Sequence, residues 1–194
     1  MERAQAFHTI MVEMTTGMLV LATLAILVCV WVSLLGGDRY QRLGDYADST
    51  ALFGAAVGLP MIALAIITGF QQWPLEAFLN SVIARNKIFT AIVAFGFWAA
   101  FLLVRLAAGR RLWVSKPLAL YALAMGLGGF AYLVFTASIG GDLSGKPSGF
   151  EQLARIFVET RRTFLLPTAV SVLLIAVGVA LPLMAFFWSK KKSV

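Results

Sequence analysis

Five apolar runs, at about residues 7–35, 51–70, 87–107, 118–139 and 163–188, constrain this chain more than anything else in it. A bilayer core roughly 30 Å thick is crossed by about 20 helical residues rising about 1.5 Å each, and every backbone N–H and C=O within it needs an internal partner. Runs of this length are therefore helices, and 194 residues leave no room for a separate soluble domain. The sequence predicts an all-α membrane protein with one transmembrane domain over 1–194. Four helices form a four-helix-bundle-like core and a fifth, C-terminal helix is added to it. Composition agrees, with 60% hydrophobic and 13% charged residues against soluble averages of roughly 45–50% and 25%.

In a soluble protein a net charge of +7 would point to nucleic acid. Here the basic residues crowd into short loops and the tail, where they set topology, so lipid is the expected partner and nucleic acid is not. Cys29 is the single cysteine, which excludes an intrachain disulfide, a CxxC redox pair and a CxxCH haem attachment site. The start carries Glu2 and Glu13 ahead of an overlong apolar run, unlike a cleaved signal peptide, so Met1 is expected to stay in the mature chain.

Between the runs, residues 38–50 read as a polar loop in which Ser49 or Thr50 caps the second helix. Pro60 is expected to kink that helix. Leu75, Phe78, Leu79, Val82 and Ile83 recur at i, i+3, i+4, i+7 and i+8, which predicts an amphipathic segment over about 75–85 lying on the membrane. A second such segment is expected over about 150–162, after a loop that begins at Gly140-Gly141-Asp142. In the fourth helix Ala124, Gly128 and Ala131 share a face and Ala122 stands four residues before Gly126, a pattern that lets backbones approach closely.

Lysine and arginine number nine in the first loop, the third loop and the tail, against seven on the other side. Basic residues favour the cytoplasmic side, which predicts the N-terminus outside and the C-terminus inside a prokaryotic cytoplasmic membrane. Trp31, Trp113 and Trp188 then form an inner aromatic belt and Trp73 an outer anchor.

Few residues could carry chemistry. At about 100° per residue, His8, Met11, Met14, Thr15 and Met18 fall within a stripe about 120° wide, while Glu13 points nearly opposite His8. Imidazole and thioether groups suit Cu(I), or a haem b iron held by His8 and a methionine, with Met61, Met125 and Met184 as partners by residue type. Methionine also fills helix interfaces, and a histidine near a helix start is commonly an interfacial side chain. Glu13, Asp142, Glu159, Arg161 and Arg162 all project to the outer side, where they form a candidate polar site or a set of solvated charges. The hydrophilic parts hold no glycine-rich phosphate loop, HExxH or GxSxG, so an autonomous hydrolase or transferase is not expected.

Phe7-His8-Thr9-Ile10-Met11-Val12-Glu13-Met14-Thr15 resembles in register the HPxxVHFP opening of a widespread prokaryotic family of predicted membrane proteins of unknown function. Thr68-Gly69-Phe70 through Trp73 is similar to that family's TGxxDW stretch, and Ile139-Gly140-Gly141-Asp142-Leu143 to its GGxL turn. The resemblance covers about residues 7–150 and implies a bundle like that of four-helix cytochrome b proteins, with a haem or electron-transfer association. Only His8 keeps a family histidine. Glu13, Lys87 and Lys146-Pro147 stand where others would be, which implies that haem binding through them is lost. Three readings follow. The first is a non-catalytic accessory or assembly subunit of a membrane redox or respiratory complex, whose partners are other membrane subunits or further copies of itself. The second is a single-haem electron carrier using His8, and the third a copper-handling protein using His8, Met11, Met14 and Met18. A transporter is disfavoured, because the five helices show no evident repeat.

Overall fold

The computed structural model describes residues 2–36, 38–72, 76, 80–143 and 168–192, and all regular structure among them is helical. Helix α1 (Glu2–Trp31) runs on through a wider π turn, Val32–Gly36. A single 3-10 turn, Asp38–Tyr40, then leads into α2 (Gln41–Gln72). Next come α3 (Val82–Ala108), the one-turn α4 (Arg111–Val114), α5 (Lys116–Leu143) and α6 (Thr168–Lys192). Four stretches, Ala6–Leu35, Gln41–Gln71, Val82–Ala108 and Lys116–Gly141, are long and apolar enough to cross a membrane, whereas the apolar part of α6, Val172–Trp188, is shorter.

The helices exist where the apolar runs place them, but their ends do not fall where polar residues predict. Residues 41–50 are helical, not loop, and neither Ser49 nor Thr50 caps α2. Their hydroxyls donate back to the carbonyls of Asp45 and Tyr46 at 3.0 and 2.8 Å. The cause is burial, since Ala47, Asp48, Ala51 and Ala55 share one buried face and continue it into the polar stretch. The cap that does form is at α3, where the Ser81 side chain accepts from the Ala84 N–H at 3.3 Å. Val82 and Ile83, expected in a surface segment over 75–85, are thus the first turn of α3. Residues 75 and 77–79 of that segment, and all of 150–162, lie outside the described residues. Likewise α5 continues through Gly140-Gly141-Asp142 to Leu143 in place of the expected loop, because burial of Ser138 and Ile139 carries the packing to the end of the helix and outweighs the low helix propensity of glycine. Pro60 and Pro182 both sit inside continuous helices, each depriving one upstream carbonyl of its donor.

Helices α1, α2, α3 and α5 close a ring in which α1 packs on α2 and α5, and α3 on α2 and α5, while α6 lies along α3. Leu19, Ile26, Trp98, Phe101 and Leu112 are among the side chains fully buried at the centre. Leu24, Phe53, Ile67, Leu106 and Leu120 face outward, as helices surrounded by lipid require.

The small residues of α5 act differently from expectation. Gly126 makes room for Ile26, Gly128 for the Phe97 ring and Gly129 for the Trp98 indole, while Ala124 and Ala131 are exposed. Close backbone approach occurs instead between α3 and α6. A Cβ on Gly178 would lie 3.0 Å from the Ile92 carbonyl oxygen, and one on Gly96 would run into the Gly178 carbonyl.

Candidate functional site

The two ends of the bundle carry polar groups of opposite character. At one end Asp48, on the buried face of α2, accepts from Arg105 Nε at 2.6 Å and Nη2 at 2.5 Å, and its Oδ1 also accepts from Trp113 Nε1 at 2.6 Å. The Ser33 hydroxyl of the π turn donates to the Trp113 carbonyl. A bidentate guanidinium–carboxylate pair with a third donor is a closed arrangement. It ties α2 and α3 to the segment between α3 and α5, with both carboxylate oxygens engaged by protein donors. Trp113, expected in an inner aromatic belt, is a member of this clasp, whereas Trp31 is exposed and packs its ring on Tyr40.

At the other end α1 begins, α2 ends, α3 begins and α5 ends. His8 Nδ1 lies 3.0 Å from Thr68 Oγ1. The Thr68 hydroxyl has one proton and donates it to the Leu64 carbonyl at 2.8 Å, so its lone pair accepts from the ring. The ring also hydrogen-bonds the Ala65 backbone, so its described polar contacts all go to α2. Glycine at position 69 admits the ring, since a Cβ there would stand 3.3 Å from His8 Cε1.

Beside His8 a cavity of about 330 Å³ opens between α1, α2, α3 and α5. His8, Glu13 and Lys87 line it together with Thr15, Thr16 and Thr136, and Ile62, Ile66, Ala91, Ala94 and Leu133 complete its walls. The threonine protons are already engaged. Thr15 donates to the Met11 carbonyl at 2.7 Å and Thr16 to that of Val12 at 2.9 Å, while the single Thr136 proton has two acceptors, the Tyr132 carbonyl at 2.7 Å and Thr90 Oγ1 of α3 at 2.9 Å. Lys87 reaches across to α5, where a Cβ on Gly140 would lie 3.1 Å from its Nζ. The two described ion pairs, Asp48–Arg105 and Asp45–Arg110, do not include it.

The cavity separates the expected site residues. His8 and Glu13 both line it although the helical wheel sets them nearly opposite, because it extends around α1 past Thr9 and Val12 to an exposed rim at Glu13. Of the methionine stripe, Met11 is buried, Met18 half-buried and Met14 exposed, and none of the three lines the cavity with His8. Met61, Met125 and Met184 do not line it either. Asp142 falls in the last turn of α5, while Glu159, Arg161 and Arg162 lie outside the described residues. Among the described residues no group of three or more His, Cys, Asp or Glu side chains gathers as a metal site would. Sequence reasoning missed the Asp48–Arg105–Trp113 clasp and the His8–Thr68 bond. For Lys87 a signal was present, a cation one helical turn before Thr90 at the start of an apolar run. No family model, curated protein or solved structure matches this chain.

Proposed function

We propose that the protein is a non-catalytic accessory subunit of a multi-pass membrane complex of the redox or respiratory kind, and that its bundle holds a small amphipathic ligand. The observation that carries this reading is the cavity at the His8 end, where His8, Glu13 and Lys87 share one enclosure with Ile62, Ile66, Ala94 and Leu133. Its volume of about 330 Å³ lies at the lower end of the range for small-molecule pockets, about 300–1,000 Å³. An ionisable side chain in a membrane-spanning stretch is costly unless it is paired or serves a ligand path, and Lys87 is such a group.

The resemblance of residues 7–15, 68–73 and 139–143 to a family of cytochrome b-like bundles supports the association with a redox complex. Neither cofactor that the resemblance or the residue types bring to mind fits one copy of the chain. Haem would need a second axial ligand near His8, and Met61, Met125 and Met184 are all absent from the cavity wall. Copper would need the thioethers of Met11, Met14 and Met18 turned toward the imidazole, and they are not among the lining side chains. The setting we assign is the prokaryotic cytoplasmic membrane with five crossings, the N-terminus outside and the C-terminus cytoplasmic. The distribution of basic residues and the packing of α6 along α3 support it. The partners are lipid and other membrane subunits or a second copy.

The test is a reduced-minus-oxidised absorption spectrum of the purified protein, with iron and copper analysis and native mass spectrometry on the same sample. The expected result is a silent spectrum, no stoichiometric metal, and a small amphiphile retained by the wild type but lost from Ala91→Leu, which fills the cavity. A haem band would move the assignment to an electron carrier at His8, and stoichiometric copper to a metal-handling protein. Equal retention by Ala91→Leu would reject the cavity as the ligand site.

A further inference from the structure

Resting on that reading, we propose that the ligand is a single-chain amphiphile with a carboxylate head, and that Lys87 binds the head. The donors decide the head group. Thr15 and Thr16 each spend their hydroxyl proton on a carbonyl of their own helix, and Thr136 divides its proton between the Tyr132 carbonyl and Thr90 Oγ1, so none of the three has a proton left for the cavity. His8 engages its ring with Thr68 and the Ala65 backbone of α2. Lys87 lines the same space with an ammonium group and belongs to neither described ion pair. A negatively charged oxygen ligand therefore finds its donor at Lys87 and not at the imidazole.

Charge sets the valence. One lysine neutralises one carboxylate, whereas a doubly charged phosphate would keep an uncompensated charge in low dielectric next to the Glu13 rim, and burying such a charge is expensive. The tail follows from α3 itself. Ala91 and Ala94 stand four and seven residues after Lys87 on one helical face, and both line the cavity opposite Ile62 and Leu133. Their small side chains leave a lane for an alkyl chain that starts at the ammonium. A cavity of about 330 Å³ stands at the small end of ligand pockets, about 300–1,000 Å³, which calls for a short chain. Octanoate matches that size.

The experiment measures binding of carboxyl-labelled octanoate to the full chain in phosphatidylcholine nanodiscs, with octanol as the uncharged analogue and acetate as the head alone. Octanoate is expected to bind the wild type at least tenfold more tightly than octanol or acetate. Lys87→Met should weaken octanoate at least tenfold while leaving octanol unchanged, and Lys87→Arg should keep octanoate within about threefold, every variant first being matched to wild type in helix content and elution volume. Unchanged octanoate affinity in Lys87→Met overturns the assignment of Lys87. Octanol binding as tightly as octanoate removes the anionic head and leaves the amphiphile reading intact, and acetate binding as tightly removes the tail. If neither octanoate nor octanol binds, the amphiphile reading fails together with this proposal.

Discussion

Asp48 holds the most demanding position of any single side chain in the bundle. It is 4% exposed and accepts three hydrogen bonds, two from Arg105 and one from Trp113. Removing one member of a buried pair leaves the other charge uncompensated, at a cost of about 3–5 kcal/mol. Asp48→Ala should therefore lower unfolding stability by that amount in a detergent titration. Asp45→Ala, which breaks an exposed pair with Arg110 at 3.2 Å, should cost less than about 1 kcal/mol. Equal losses from the two variants would mean that the clasp does not hold the bundle. Nothing local in the sequence announces this site. Asp48 lies among polar residues that read as a loop, and its partner is 57 positions away in an apolar run. The one available cue is spacing: Ala47, Asp48, Ala51 and Ala55 make a small-residue face, and an acid on such a face is buried once the face is.

At the scale of elements, glycine in a helix has opposite meanings that only packing separates. Gly96 meets the Gly178 backbone of α6, whereas a Cβ on Gly17 would find nothing within 4 Å. Gly96→Ala has to push two helices apart and should destabilise by about 1–3 kcal/mol, as overpacking typically does. Gly17→Ala should be neutral or stabilise by up to about 1 kcal/mol through helix propensity. Thermal unfolding of the two variants side by side checks both signs, and a stabilised Gly96→Ala would show that α6 is not seated on α3 at this crossing. The same ambiguity explains which parts of the helices were legible. Their existence follows from apolar length, which hydrocarbon thickness dictates. Their ends depend on whether Ser49 and Thr50 turn to a free N–H or back to a carbonyl, and that choice is made by burial of the neighbouring face. Small residues in α5 read as a site of backbone contact, yet the space is taken by Phe97, Trp98 and Ile26 arriving from α3 and α1.

For the whole molecule, the two polar ends are what give the bundle a direction. The cavity could not be read from the sequence, because its lining comes from four helices, and of the three ionisable side chains His8, Glu13 and Lys87 the last stands more than seventy positions from the other two. For orientation the sequence offers an expectation, since the bias of nine basic residues against seven needs no tertiary structure, but a bias that small fixes the side only if the positions counted together lie together. The fold supports the grouping. Arg105 and Arg110 join Asp48 and Asp45 at one end, while Lys87 joins His8 at the other. With the N-terminus outside, the cavity end faces outward and the clasp faces the cytoplasm. Two exposed positions report on this directly, Asn80 just before α3 and Val114, 84% exposed at the end of α4. In a Cys29→Ser background, Asn80→Cys should be labelled by a membrane-impermeant thiol reagent in intact cells and Val114→Cys only after lysis. The reverse pattern would place the cavity in the cytoplasm and turn its ligand supply around. The proposed fifth crossing, by α6, is tested separately, because an odd number of crossings would set the C-terminus on the side of Val114. A fluorescent protein fused after Val194 should then fold in the cytoplasm. A fusion exported to the outside would mean that α6, whose apolar stretch Val172–Trp188 is the short one, lies against α3 without crossing.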